Sequence, residues 1–448
     1  MTSTDKGLTR ILGFHDLLLI VMGTVIGSGI FLVPGAVLRQ TGGRVGTALL
    51  VWLLAGVLSL LGALTYGELG AMQPEVGGLY VYIRDTFGPL PAFLYGWTLF
   101  FVISSGSVAT LAVAFAAYLQ PFVALGPGAR KLVAIAMVAV VAAVNVRGTG
   151  QSARVQGWST GIKVIALLVM SALLLAVGRG FGGGVPLWPT HVTSSVLAGL
   201  GPAMVATLWA YEGWQYVTFS AGETRDPQRV FPRGIIAGTA GLIVVYLLAN
   251  LGYVAALGSR GVAASDSVAA AAVQALFGSR AAQVVALIIL IAMFSAANGL
   301  TLTATRVYYA MARDRLFFRR LAEVHPRFGT PAFAILLSSA WAMLLALTGT
   351  FDELLTYVVF TGWIFYALAA LSIFGYRRSK PDAPRPFRVP GYPWTPILFV
   401  LSALGIVLNT LFVQPKQALA GIAVVLVGVP AFLMWRRRGM SSRPAADG

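Results

Sequence analysis

Twelve apolar stretches of about 20 residues leave this chain few ways to fold, because each is long enough to cross the hydrocarbon core of a bilayer as a helix. They fall at about 16–38, 47–72, 89–119, 132–146, 157–178, 196–221, 234–257, 281–305, 332–348, 354–375, 394–413 and 417–435. Lipid offers no partner for backbone polar groups, so runs of this length read as helices that satisfy their own. Composition agrees. Of 448 residues, 58% are hydrophobic and 10% charged, against roughly 25% charged in soluble domains. The expected fold class is an all-α integral membrane protein with 12 transmembrane helices and no separate aqueous domain.

An even number of spans puts both termini on one side, and the Lys/Arg bias identifies it. That side carries 23 of the 32 basic residues; the opposite side carries 8, and Lys163 lies within a span. Both termini are therefore expected in the cytoplasm. The formal net charge of +17 follows from this topology and implies membrane lipid, not nucleic acid, as the partner of the basic residues. The first 15 residues are polar and lack the charged-then-apolar pattern of a cleavable signal. With no cysteine, a disulfide framework, thiolate catalysis and thiolate metal sites are excluded. The three histidines (His15, His191, His325) lie at a membrane edge or in loops. No pair has metal-ligand spacing and no nucleotide-binding motif appears, so no enzyme, metal or cofactor is expected.

Two spans are interrupted at matching places. "GTVIGSGIF" (23–31) sets three glycines inside span 1, where each costs about 1 kcal/mol relative to alanine in a helix. "LWAYEGWQY" (208–216) sets Glu212 and Gly213 inside span 6. Spans 1 and 6 each open a block of five, and paired breaks of this kind point to a transporter binding site at the midplane. Freed N–H groups at the start of a half-helix can bind a carboxylate, and freed carbonyls at the end of another can accept from an ammonium. A zwitterionic amino acid presents both groups.

Ionisable residues within spans are functional candidates by default. Lys163 in "TGIKVIALL" either snorkels to the interface or serves the site. Glu212 either holds the head of a cationic substrate, pairs with Gln215 or a hydroxyl, or contributes only its backbone. Glu68 is expected in a fold-supporting ion pair. Ser107 in "ISSGSVAT" is the candidate for the pocket wall, Asn298 for a bond to the helix 1 break, and Phe360 and Trp363 for an outer gate.

The interrupted motifs, together with "YGELGAMQPEVGGLYVYIRDTFGPLPAFLYGW" (66–97), "LWAYEGWQYVTFSAGETRDPQRVFPRGI" (208–235) and "NGLTLTATRVYYAMARD" (298–314), resemble the amino acid–polyamine–organocation superfamily, in its L-type amino acid transporter branch. The resemblance implies a five-plus-five inverted repeat with broken helices 1 and 6, and transport of amino acids by alternating access. It places the substrate carboxylate on the N–H groups of Gly27, Ser28 and Gly29, helped by the Ser28 hydroxyl. The amine meets the carbonyls of Val25, Trp209 and Glu212, and Trp209 closes over the substrate. Lys163 stands where sodium-coupled relatives hold the ion, bridging helices 1 and 8.

The implied organisation is a cytoplasmic N-terminus (1–15), a ten-helix core (16–375) of two repeats (16–178 and 196–375), a cytoplasmic connector (376–393), helices 11 and 12 (394–435) and a basic cytoplasmic tail (436–448). Heteromeric relatives join a glycoprotein through a cysteine in the helix 3–4 loop. Here that loop reads "QPFVALGPGAR", so no disulfide-linked ancillary subunit is expected and the chain should act alone in a bacterial inner membrane. The expected function is sodium-independent transport of L-amino acids, neutral ones first, by exchange. Proton symport and cationic substrates held by Glu212 are the alternatives.

Overall fold

A computed structural model describes residues 10–441, apart from 121, 183–186, 190 and 192–193. Residues 1–9 of the N-terminal segment and 442–448 of the basic tail lie outside the described residues. The described chain is helical throughout, with one isolated bridge between Leu12 and Thr224. In order, the α-helices are α1 (Phe14–Val25), α2 (Gly29–Gln40), α3 (Val45–Met72), α4 (Leu79–Phe87), α5 (Pro89–Thr98), α6 (Ser104–Tyr118), α7 (Pro127–Val146), α8 (Thr149–Val177) and α9 (Ser194–Ala210). Then follow α10 (Pro227–Ala264), α11 (Val268–Arg313), α12 (Ala332–Thr348), α13 (Phe351–Ser379), α14 (Trp394–Val413) and α15 (Pro415–Ser441).

Nine described helices are long and apolar enough to cross a membrane, and ten if the bent pair α1 and α2 counts as one span. α12 and α9 are apolar but have 17 residues each. This is a multi-pass membrane protein. Several run boundaries move for local reasons. α10 and α11 extend past the expected limits at 257 and 281, but each bends at a glycine in left-handed backbone, Gly258 (φ 66°) and Gly278 (φ 83°). Glycine adopts that geometry without steric penalty, so the hydrophobic helix proper stops next to these residues. α7 begins at Pro127, a residue suited to a first helical turn, and draws Arg130 and Lys131 out of the loop. α5 and α6 run together through a π-helical turn at Leu99–Ile103.

α1 packs against α8, α10 and α11, and α2 against α9 and α10, so both halves of the broken first span are surrounded by protein. Irregular backbone is tolerated at membrane depth under that condition. Polar pairs tie several of the helices together. Buried Glu68 of α3 receives a forked pair of hydrogen bonds from Arg377 (2.9 and 2.7 Å) and a third from the Val389 N–H (2.7 Å). The ion pair expected of Glu68 is thus made across to α13. Glu223 and Arg306 form a second, buried pair at 3.0 Å. Arg84 of α4 bonds Asp314 at 2.9 Å. Burial works against the Arg84 charge, but Asp314 and then Asp85 more than offset it and raise its pKa.

Candidate substrate site at the two helix breaks

The first span breaks because its backbone turns out of the helix at Ile26 (ψ 88°), bending α2 49° away from α1. Span 6 does not continue as one α-helix to 221. α9 stops at Ala210, turns through 211–213, and continues as a 3₁₀ helix over Trp214–Glu223. Gly213 takes a φ of 126° at that turn. The two breaks touch through backbone. A Cβ on Gly29 would lie 2.4 Å from Ala210 Cα, and one on Gly213 would lie 2.8 Å from the Thr24 carbonyl oxygen. These glycines are required by close approach, and Gly213 also by its conformation.

A cavity of about 20 Å³ lies at this junction. Val25, Gly27, Ser28, Gly29, Ser107, Trp209 and Glu212 all border it, together with Thr24, Leu111 and Leu300. Larger clefts of about 630 and 580 Å³ open elsewhere, one between α1 and α8 and one among α5, α6, α12, α13 and α15. They are walled by outward-facing apolar side chains such as Trp158 and Val427 and hold none of these residues. The chemistry of the small cavity decides for it.

On one wall, the N–H groups of Gly27 and Ser28 find no backbone acceptor among the described residues, and the buried Ser28 Oγ has no hydrogen-bond partner. The start of α2 adds the unpaired N–H groups that every helix N-terminus carries. These donors, with the positive end of the helix dipole, suit a carboxylate. On the other wall stand the carbonyl ends of α1 and α9. Tyr246 of α10 reaches both, sharing its single O–H between Val25 O at 3.2 Å and Ala210 O at 2.9 Å. Trp209 O accepts from the Glu212 N–H at 3.0 Å. Of the three carbonyls expected to meet an amine, Val25 and Trp209 therefore each accept one internal bond and keep a second lone pair.

Lys163 is fully buried in α8 and does not snorkel. Its ammonium donates to Gly23 O at 2.6 Å and Ile26 O at 2.7 Å, at the end of α1 where the helix dipole favours a cation. Among the described residues no carboxylate pairs with it. α8 and α11 are tied one turn away by the Ser159–Ser295 hydroxyl bond at 2.7 Å.

Glu212 turns its side chain to use. Its Oε1 accepts from Gln215 Nε2 and from Tyr366 OH, both at 2.5 Å. Ser107 borders the cavity but donates its hydroxyl to Ile103 O of its own helix at 2.7 Å. Asn298 departs from expectation: its amide oxygen accepts from Asn145 (2.9 Å) and Ser152 (3.1 Å), and its nitrogen donates to Ser152 O and Gln156 (both 3.3 Å). It ties α11 to α7 and α8, not to the helix 1 break, because a buried amide takes the nearest side-chain partners.

Phe360 and Trp363 also lie away from the cavity. Phe360 packs on Gly421 of α15 and Trp363 on Phe399 of α14. The aromatic set edge-on against Trp209, with ring centroids 6.3 Å apart, is Phe351 at the start of α13. Tyr246 and Tyr366 escaped the sequence reading. A buried phenol usually finds a partner, but that signal falls equally on other buried tyrosines such as Tyr211 and Tyr253, whose hydroxyls have none among the described residues.

The family model described as amino acid permease matches residues 12–432. The chain belongs to this family. Similar proteins include the serine/threonine exchanger SteT of Bacillus subtilis, 31% identical over an alignment covering 98% of this chain and 100% of that one. The human cystine/glutamate transporter is 32% identical over 94% of this permease and 84% of its own length. The rat large neutral amino acids transporter small subunit 2 is 32% identical over 93% and 78%.

Proposed function

We propose that this permease is a sodium-independent exchanger of neutral L-amino acids that works by alternating access. Twelve spans, ten of them in two inverted repeats (16–178 and 196–375), carry the substrate site at the paired breaks. The basic bias puts both termini in the cytoplasm. The observation that carries the reading is the Lys163 ammonium on the Gly23 and Ile26 carbonyls. A fixed cation already satisfies the backbone oxygens that a bound sodium ion would need, so the helix break is held without one. The substrate carboxylate then meets Gly27, Ser28 and Gly29, and its amine the remaining lone pairs at Val25, Trp209 and Glu212. Relatives named as exchangers and large-neutral transporters support the substrate class. The absence of cysteine favours a chain that acts without a disulfide-linked subunit, in a bacterial inner membrane.

The test is uptake of a labelled amino acid panel into proteoliposomes, empty or preloaded, under sodium or proton gradients. Uptake should require internal amino acid and ignore sodium. Uptake into empty vesicles driven by a proton gradient would replace exchange with symport.

A further inference from the structure

Among the described residues, Glu212 is the one acidic side chain bordering the cavity, and nothing beside it carries a positive charge. Both of its donors, Gln215 and Tyr366, bond Oε1, which leaves Oε2 without a partner among the described residues. Among the described residues, the ionisable groups close enough to feel its charge are all phenols: Tyr66 from α3, Tyr95 from α5, Tyr216 from the 3₁₀ helix and, in direct contact, Tyr366 from α13. From α8, Lys163 commits its ammonium to the helix 1 carbonyls. From α11, Arg306 is held by Glu223. The walls given by α2 and α6 offer only Ser28, Ser107 and apolar groups. A bare carboxylate this deep in a membrane protein carries a large desolvation penalty unless a positive charge accompanies it.

We infer that Glu212 makes every cargo travel with one positive charge. A neutral amino acid moves with a proton on the Glu212 carboxyl. A basic amino acid moves with the carboxylate ionised, its own side-chain cation taking the proton's place beside Oε2. This rests on the exchanger reading above. The balance is closed: when a basic amino acid enters and a neutral one leaves, Glu212 discharges its cation inward, takes a proton from the lumen and carries it out with the neutral cargo. One cation in and one proton out leave the charge of the loaded site equal in both directions.

The experiment uses the full chain in proteoliposomes loaded with serine and an internal pH dye, with membrane potential set by potassium and valinomycin. External lysine should enter and raise the lumen pH, with about one proton leaving per lysine, at a rate indifferent to potential. External serine should exchange with no pH change. Lysine entry that follows the potential without moving protons overturns the inference, as does serine exchange from which lysine is excluded. Failure of serine–serine exchange instead removes the exchanger reading and this inference with it. In Glu212→Gln, proton efflux linked to lysine should be lost; unchanged efflux in that variant would also overturn the assignment, and the wild-type arms decide if the variant does not fold.

Discussion

A single methyl group at Gly29 should stop the two broken helices from closing on each other. In Gly29→Ala the new carbon would stand 2.4 Å from Ala210 Cα, 2.7 Å from its Cβ and 3.2 Å from its nitrogen. Ordinary contact begins at 3.4 Å, so α2 and α9 must part by about 1 Å. Two of those three atoms are backbone, and no rotamer change relieves them. Overpacking of this kind costs roughly 1–3 kcal/mol. The penalty falls on the arrangement in which the two breaks touch, so its population should drop roughly 5- to 150-fold. The assay is the initial rate of amino acid exchange in proteoliposomes, at matched protein density and after gel filtration shows a folded protein. Gly161→Ala is the control, since nothing lies within 4 Å of a Cβ there and alanine is the better helix former. Exchange by Gly29→Ala at the rate of the control would refute the claim that contact between the breaks is part of the cycle.

Three further substitutions separate binding from scaffold. Lys163→Ala removes two charge-assisted hydrogen bonds, each worth about 1.5–3 kcal/mol, and should lower exchange more than about tenfold in the same assay. Ser28→Ala should raise KM about five- to tenfold while leaving thermal stability unchanged, because its hydroxyl has no partner among the described residues and a substrate bond is worth roughly 1 kcal/mol. Arg377→Ala strips the forked partner from the fully buried Glu68, which typically costs about 3–5 kcal/mol. The Val389 N–H and Arg385, 3.7 Å away, place the loss at the lower end, read as earlier thermal aggregation in gel filtration.

What could be read from the sequence were the features governed by local rules. Apolar run length located the helices, and the glycines of "GTVIGSGIF" and "YEGW" located both breaks, Gly213 through its left-handed backbone and Gly29 through its close approach to Ala210. All seven residues named as substrate contacts border one cavity. What escaped depended on the helix face that a residue presents once packed. Phe360 and Trp363 share a span with Tyr366, yet two turn to α14 and α15 while the third reaches Glu212. Polarity along that span does not set its rotation; contacts with its neighbours do. Asn298 shows the same limit, since its depth was legible and its partners were not.

The two breaks are held by different means, and the difference bears on which can move. The end of α1 is clamped to α8 by a charged group through two short bonds. Among the described residues, the hydrogen bonds that tie the end of α9 to it are those of the Tyr246 hydroxyl, shared between Val25 O and Ala210 O, and of Thr24, whose hydroxyl reaches Gly213 O at 3.0 Å. Neutral hydrogen bonds are roughly half as strong as charge-assisted ones. A rearrangement that separates the breaks therefore meets less resistance at the Tyr246 and Thr24 contacts than at Lys163. The weaker seam runs beside the cavity, between the donors of α2 and the Glu212 carboxyl, where a substrate binding both sides would supply the bonds that the protein alone makes sparingly.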